Sequence, residues 1–352
     1  MDNQSYLTND LTANQRKIIS AVSKYRVISR ARISELTGLT PSAVTQLSKS
    51  LINLGLLREG SRQKCGRGQP PIPLEINPEG AFSLGVSIEP NFIAISISNL
   101  SGLIVHHEST PVDNHQSLDE MIELIQTLVS TGIVKAKIPK AKVLGIGFSL
   151  AGYRGAKQNW VCVPSLQCLN DVDLVSILND AFDYPVYIEN NVNASVIGEY
   201  YSHIKKDFST IVFIDIGFGI GAGIIYDGVL FKGGFNNAGQ VGLSFPYGKE
   251  RPSYLDFVSR KELSLEQWIT RSAVQIEQIL SSCIQWIDPQ LIILGGSLPK
   301  DVADKLIDIL SLRIGSLVPV DANSPKLILS PNGERSSTLG ASIIPFYNEF
   351  YL

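Results

Sequence analysis

Cysteine and histidine are scarce in this chain, four of each in 352 residues. Cys65, Cys162, Cys168 and Cys283 are scattered with no Cys-x-x-Cys spacing. That pattern argues against a disulfide framework and against a metal module, and for reduced thiols in a cytoplasmic protein that needs no cofactor. No apolar run approaches the roughly 20 residues of a membrane-spanning helix. The polar opening, Met1–Asn9, has neither the basic nor the apolar segment of a secretory signal. No Gly-x-Ser-x-Gly sequence occurs, so an activated-serine hydrolase has no support. His106, His107, His115 and His203 stand outside every glycine-rich motif and read as surface residues.

What is present is the composition of a folded globular protein, 44% hydrophobic and 18% charged, with room for two or three domains. The net charge of −3 conceals an asymmetry: residues 1–80 carry +5 and residues 81–352 carry −8. A basic head on an acidic body suits an anion-binding head, and DNA is the commonest such anion.

The head reads as three helices. Asn14–Lys24 places Ile18, Ile19 and Val22 on one face. Ser29 caps a second helix, with Ile33 and Leu36, that stops at Gly38. Thr40 caps a third whose first residue is Pro41, where a missing N–H costs nothing. Val44, Leu47, Leu51 and Leu54 form its apolar stripe, and Gly55 ends it. Two short strands, Leu56–Glu59 and Ile72–Ile76, bracket a loop with Arg62, Lys64 and Arg67. The spacing predicts a winged helix-turn-helix. Ser42, Thr45, Gln46 and Lys49 lie off the stripe, where they can reach base edges, while the loop cations suit phosphates or the minor groove.

The body, from Ala81 on, alternates strands and helices in two sets. Strands at 82–88, 92–98, 103–108 and 143–148 surround a helix near 118–130. A second set runs through strands at 186–188, 210–216, 222–226, 291–294 and 327–329, with helices at 192–201, 273–286 and 302–314. This duplication predicts an α/β body of two lobes. The Pro/Gly-rich passage Gly66–Gly80 reads as the boundary with the head.

Several motifs resemble the ROK family of bacterial sugar kinases and sugar-responsive repressors. Ile33–Thr45 is similar to the head of its repressors, as is Gly66-Arg67-Gly68-Gln69-Pro70-Pro71 leading to Ile76-Asn77-Pro78-Glu79-Gly80. Ala238-Gly239-Gln240-Val241-Gly242-Leu243 resembles the Gly-Glu-x-Gly-His block, and Gly145–Gly152 a glycine-rich sugar turn. The resemblance spans roughly residues 12–348. It implies an actin-like (duplicated ribonuclease H-like) sugar-kinase fold with ligands in the cleft between lobes. The implied domains are 1–80, the winged helix-turn-helix; 81–188, the first lobe, completed by the C-terminal helix 337–352; and 189–336, the second lobe.

The resemblance also marks what is missing. The Asp-x-Gly-Gly-Thr phosphate turn of the kinases corresponds to Ser87-Ile88-Glu89-Pro90-Asn91, where Glu89 would repel phosphate. Phe218 interrupts the second phosphate turn, Gly217-Phe218-Gly219. Asn191 stands where the general base would be, and an amide cannot accept the proton of the attacking hydroxyl. The block's Glu is Gln240 and its His is Leu243. The cysteine-rich zinc loop that follows is absent, since Phe245–Tyr254 holds neither Cys nor His. Gly152, Ser165, Asn190, Asn191, Gln240 and Asp256 are the implied sugar-binding positions.

The reading is a homo-oligomeric repressor of carbohydrate-metabolism genes, not an enzyme. Its partners are operator DNA and a sugar or sugar derivative. The alternatives are a DNA-binding scaffold regulated by a protein partner, and a sugar kinase with a DNA-binding head.

Overall fold

The computed structural model describes residues 11–61, 72–112, 117–156, 159–201, 208–245 and 250–351. The loop cations Arg62, Lys64 and Arg67 lie outside the described residues, as does His115.

The head forms because each helix is started and stopped by its own sequence. Thr12 opens α1 (Ala13–Tyr25) with a capping box: its hydroxyl accepts from the Gln15 N–H, and the Gln15 side chain accepts from the Thr12 N–H. A two-residue strand, β1 (Val27–Ile28), follows. Ser29 caps α2 (Arg30–Thr37), which Gly38 closes in the left-handed conformation. Thr40 caps α3 (Pro41–Asn53) with Pro41 in the first turn. Then come β2 (Leu57–Glu59) and β3 (Leu74–Ile76), and β3 lies between β1 and β2 in an antiparallel sheet. Ile18, Ile19, Val22, Ile33, Val44 and Leu51 are fully buried between the helices. Each contributes about 1.5–3 kcal/mol by leaving water.

One expectation for the head is corrected, and one element is added. Leu36 and Leu54 are 40% and 44% exposed, so the buried stripe is shorter than the apolar pattern suggests. Strand β1 carries no sequence signal, because two residues cannot show alternation.

The chain divides into two compact units. The first comprises 1–148, 173–189 and 341–352, and so includes the head. Its sheet is built from β4 (Phe82–Glu89), β5 (Phe92–Asn99), β6 (Ile104–Pro111), β7 (Val143–Leu150) and β10 (Val186–Asn190), in the order β10-β7-β4-β5-β6. Strands β4 and β7 are buried along their whole length, apolar residues alternating with small ones such as Ser83, Gly85, Gly145 and Gly147. Helix α4 (Leu118–Lys135) opens with the capping box Ser117–Glu120 and buries Met121, Ile125, Leu128 and Val129.

The second unit comprises 149–172 and 190–340. Residues 149–172, assigned to the first lobe from sequence, pack in this unit: they form the hairpin β8 (Gly152–Arg154) and β9 (Trp160–Cys162). Helix α5 (Leu174–Ala181) returns the chain to the first unit. The second sheet uses β11 (Thr210–Ile216), β12 (Ile220–Tyr226), β13 (Val229–Leu230), β14 (Leu291–Gly296) and β15 (Lys326–Leu329), in the order β13-β12-β11-β14-β15. Strand β14 runs parallel to both β11 and β15.

Helix α6 (Asn191–Glu199) packs on one face of this sheet, where Gly221 and Gly223 leave room for Val192 and Val196. On the other face α8 (Leu265–Ile287) buries Ile276, Ile279 and Leu280 against Val212, Ile214 and Ile292. Short α7 (Tyr254–Ser259) precedes it, and α9 (Lys300–Arg313) adds Val302, Leu306 and Leu310 to the same core. The last helix, α10 (Ser336–Phe350), is one continuous element although its residues divide between the two units after Gly340.

Two features fix α10. A Cβ on Gly340 would sit 1.8 Å from the Ala194 carbonyl oxygen, so only glycine allows α6 and α10 to touch. Buried Glu199, at the end of α6, accepts hydrogen bonds from Ser330, Asn332 (2.9 Å) and Ser336 (3.2 Å) on one carboxylate oxygen. At the far end of α10, Tyr351 and Ser23 of α1 share a 2.5 Å hydrogen bond, and Arg16 pairs with Glu349 at 3.5 Å. The body therefore grips the head through α10 as well as through the linker.

Candidate functional site

Ser42, Thr45, Gln46 and Lys49 are all exposed on α3. Their positions follow from the burial of Val44, Ser48 and Leu51, which turns the opposite face outward. The Thr45 hydroxyl is engaged with the Pro41 carbonyl at 2.8 Å, leaving Ser42, Gln46 and Lys49 as the side chains best able to reach a ligand. The positive charge of the head is less available than its count suggests. Arg30 pairs with Glu59, Arg32 with Glu35 and Arg58 with Glu75.

The candidate sugar-binding residues all fall in the second unit. Asn190 caps α6, its side-chain oxygen accepting from the Val192 and Asn193 N–H groups at 2.9 and 3.3 Å. Its amide nitrogen donates to the Gly152 carbonyl, tying the helix start to β8. Asn190 is thus an organiser of the turn as much as a ligand contact. Asn191 follows in the first turn of α6, half-buried, where helix N–H groups converge.

The hairpin β8–β9 brings two further segments to this place. The Asn237 side chain accepts from the Arg154 N–H (3.1 Å) and donates to the Arg154 carbonyl (2.8 Å), joining the loop that carries Gln240 to β8. Half-buried Ser165 lies in the short 3-10 turn just after β9, and the Asn170 side chain holds Cys162 at 2.7 Å. Arg154 itself lies flat over Trp160 at 4.3 Å, a cation–π contact. These bridges tie Asn190 at the start of α6 to Gly152, and the loop before Gln240 to β8.

Asp256 does not join them. It is buried in α7, where one carboxylate oxygen accepts from Arg260 (2.9 Å) and the other from the Trp268 indole (2.9 Å) and from Arg271. Burial works to raise its pKa, but these hydrogen bonds outweigh it and hold the carboxyl below its usual range. Both oxygens of this carboxylate are thus engaged, tying α7 to Trp268 and Arg271 of α8.

The kinase-like motifs are closed by packing. Strand β4 runs straight through Ser87 to Glu89, which pairs with Phe92 across a tight hairpin. Both residues are buried, with Ser87 donating to Glu89 at 3.2 Å. In the second turn Phe218 packs edge-on against Tyr254, with 5.8 Å between ring centres, and the Tyr254 N–H donates to the Gly217 carbonyl at 2.7 Å. Asp215, just before this turn, is half-buried, and desolvation lifts its pKa to about 6, outweighing the Gly217 N–H bond.

Leu243, in the position of the family's His, is 80% exposed. The 3-10 turn that carries it, Val241–Ser244, roofs a cavity of about 410 Å³ between the second sheet and α8, lined by Val212, Ile214, Ile224, Val241, Phe245 and Ile279 among others. Sequence reasoning did not single out Arg154, Asn237, Arg251 or Arg271. None sits in a motif; only the absent zinc loop hinted that something else must hold this region.

A winged-helix head on an actin-like, two-lobed α/β body is the class these elements define. Residues 83–246 match the ROK family model. An uncharacterized protein, y4fQ, of Sinorhizobium fredii is 28% identical over 97% of this chain and 93% of its own length. The xylose repressor of Bacillus spizizenii is 26% identical over 94% of each chain. A solved ROK family transcriptional regulator, a homologue of the E. coli MLC protein, superposes with a TM-score of 0.67 at 19% identity over 96% of each chain.

Proposed function

We propose that this protein is a sugar-responsive DNA-binding repressor whose body has kept the kinase fold without the kinase chemistry. The observation that carries the reading is the exposed polar face of α3, set on a body that aligns over nearly its whole length with a xylose repressor. In this reading Gln46 reads a base edge, best an adenine, and Ser42 and Lys49 seat the helix on the backbone. Arg62, Lys64 and Arg67 are proposed as wing contacts to phosphate.

The sugar is proposed to sit over Gly152, Asn191 and Gln240. Amide side chains there both donate to and accept from hydroxyls without withdrawing a proton. Glu89 beside the first phosphate turn and the Phe218–Tyr254 pair in the second support the loss of nucleotide binding. A homo-oligomer matching a two-fold operator follows from the same reading.

The test is fluorescence anisotropy of the full chain on DNA from its own promoter region, titrated with a panel of neutral, amino and phosphorylated sugars. A compound that shifts the DNA curve supports the reading. Specific DNA binding that every sugar leaves unchanged favours a scaffold answering to a protein partner. ATP hydrolysis stimulated by any sugar would revive the kinase.

A further inference from the structure

The turn that carries Gln240 and Leu243 cannot be held by packing alone, because one of its faces lies over the 410 Å³ cavity. Hydrogen bonds anchor it at both ends. At the first end Gly239, at φ 87°, presses on β12: the Ala222 N–H donates to its carbonyl at 2.8 Å, and a Cβ would stand 1.9 Å from the Ala222 oxygen. At the second end the Arg251 guanidinium donates to the carbonyls of Gly242 (3.3 Å) and Phe245.

Arg251 is in turn strapped to the longest helix of the body. The Gln275 side chain of α8 donates to the Glu250 carbonyl at 3.1 Å, and Arg271 of α8 pairs with the Glu250 carboxylate at 3.6 Å. Arg271 also binds Asp256, which gathers Arg260 and Trp268. A chain of charged and polar contacts thus runs from α8 through residues 250 and 251 to the turn.

The resembled family follows this block with a zinc loop, and the residues here do not fit that metal. Positions 245–254 hold no Cys or His, and among the described residues no group of three or more His, Cys, Asp or Glu could hold a metal ion. What faces the turn is a cation with donors only.

We propose that Arg251 is the positioning residue of the effector turn, a guanidinium clasp in place of a zinc cross-link, which makes the sugar response independent of metal. The proposal rests on the sugar-sensing reading for its functional consequence but not for its structural one. A planar guanidinium suits the task because it can reach two carbonyls at once and stays charged at every physiological pH. A lysine would offer one compact charge and bridge them less well.

The experiment compares the full-length protein with Arg251→Ala and Arg251→Lys in two assays. Amide hydrogen exchange across residues 239–245 reads the clasp directly. Release of charge-assisted hydrogen bonds should speed exchange there by about tenfold or more in Arg251→Ala, while leaving the head at wild-type rates. D-xylose titration of the DNA complex reads the consequence. The half-point should rise about tenfold in Arg251→Ala with unchanged sugar-free DNA affinity, rise less in Arg251→Lys, and fall back when millimolar guanidinium is added. Wild-type protein treated with EDTA should titrate as before.

Exchange in Arg251→Ala equal to wild type would overturn the proposal, as would a wild-type response abolished by chelator and restored by zinc. If D-xylose does not move the wild-type curve, the sensing reading fails for that sugar, and the exchange assay still decides for or against the clasp.

Discussion

Single side chains set both the chemistry that this body lacks and the conditions under which it is stable. Asp215 has its carboxyl raised from an ordinary 3.8 to about 6 by burial. Between those values the folded state keeps a proton that the unfolded state has lost, so stability falls as pH rises through the window. Asp215→Asn should remove that loss and melt higher than wild type at pH 7 but not at pH 3, below both values. An equal difference at both pH values would show that the carboxyl's proton is not the cause. On the head, Gln46→Ala should cost about 1–3 kcal/mol on operator DNA and much less on scrambled DNA. Lys49→Ala should weaken both alike and lower the salt slope by about 1. The comparison is made by anisotropy over a series of salt concentrations. The exposure of these residues was legible because α3 has a plain apolar stripe. The double role of Asn190 was only half legible: a cap shows in sequence, but its bond to Gly152, 38 residues away, does not.

At the level of elements, the tightest junction is where α6 meets α10. Gly340→Ala would drive a methyl group into the Ala194 carbonyl, and the helices must separate to admit it. That overpacking should destabilise the protein by about 1–3 kcal/mol, read as a lower melting temperature. A wild-type melting curve would mean the helices part at little cost. Capping boxes at Thr12 and Ser117 start α1 and α4 within a residue of where the sequence places them, whereas α8 begins eight residues before its expected Ala273 despite the box at Ser264, and α5 and α7 were not read at all. Short elements of the body were less legible than the head strands β2 and β3. The hairpin β8–β9, with three residues in each strand, is fixed by its register and by the Asn237 bridge rather than by pattern. The same limit hid Asp256, whose place in the motif suggested a ligand while Arg260, Arg271 and Trp268 converge on it only after folding.

For the whole molecule, the repressor reading carries a thermodynamic obligation. A sugar that weakens operator binding tenfold must itself bind tenfold more weakly to the operator-bound protein, a coupling of about 1.4 kcal/mol. Titrating sugar against free and operator-bound protein should return the same factor that the DNA titration gives. Unequal factors would mean that a third species, such as a change of oligomeric state, takes part. The repeated strand-helix alternation made the duplicated body readable from sequence. The assignment of 149–172 was not, because the chain leaves the first unit and returns to it at 173.

The bonds of Tyr351 to Ser23 and of Glu349 to Arg16 also bear on how such heads can be exchanged. A head transplanted as a linear stretch, cut at the linker, would leave behind two of its own supports on α10. Chimeras that move residues 11–80 onto another body need a matching tyrosine and glutamate on the recipient's last helix. Without them the graft gains a new address on DNA but loses the footing that keeps α1 in place.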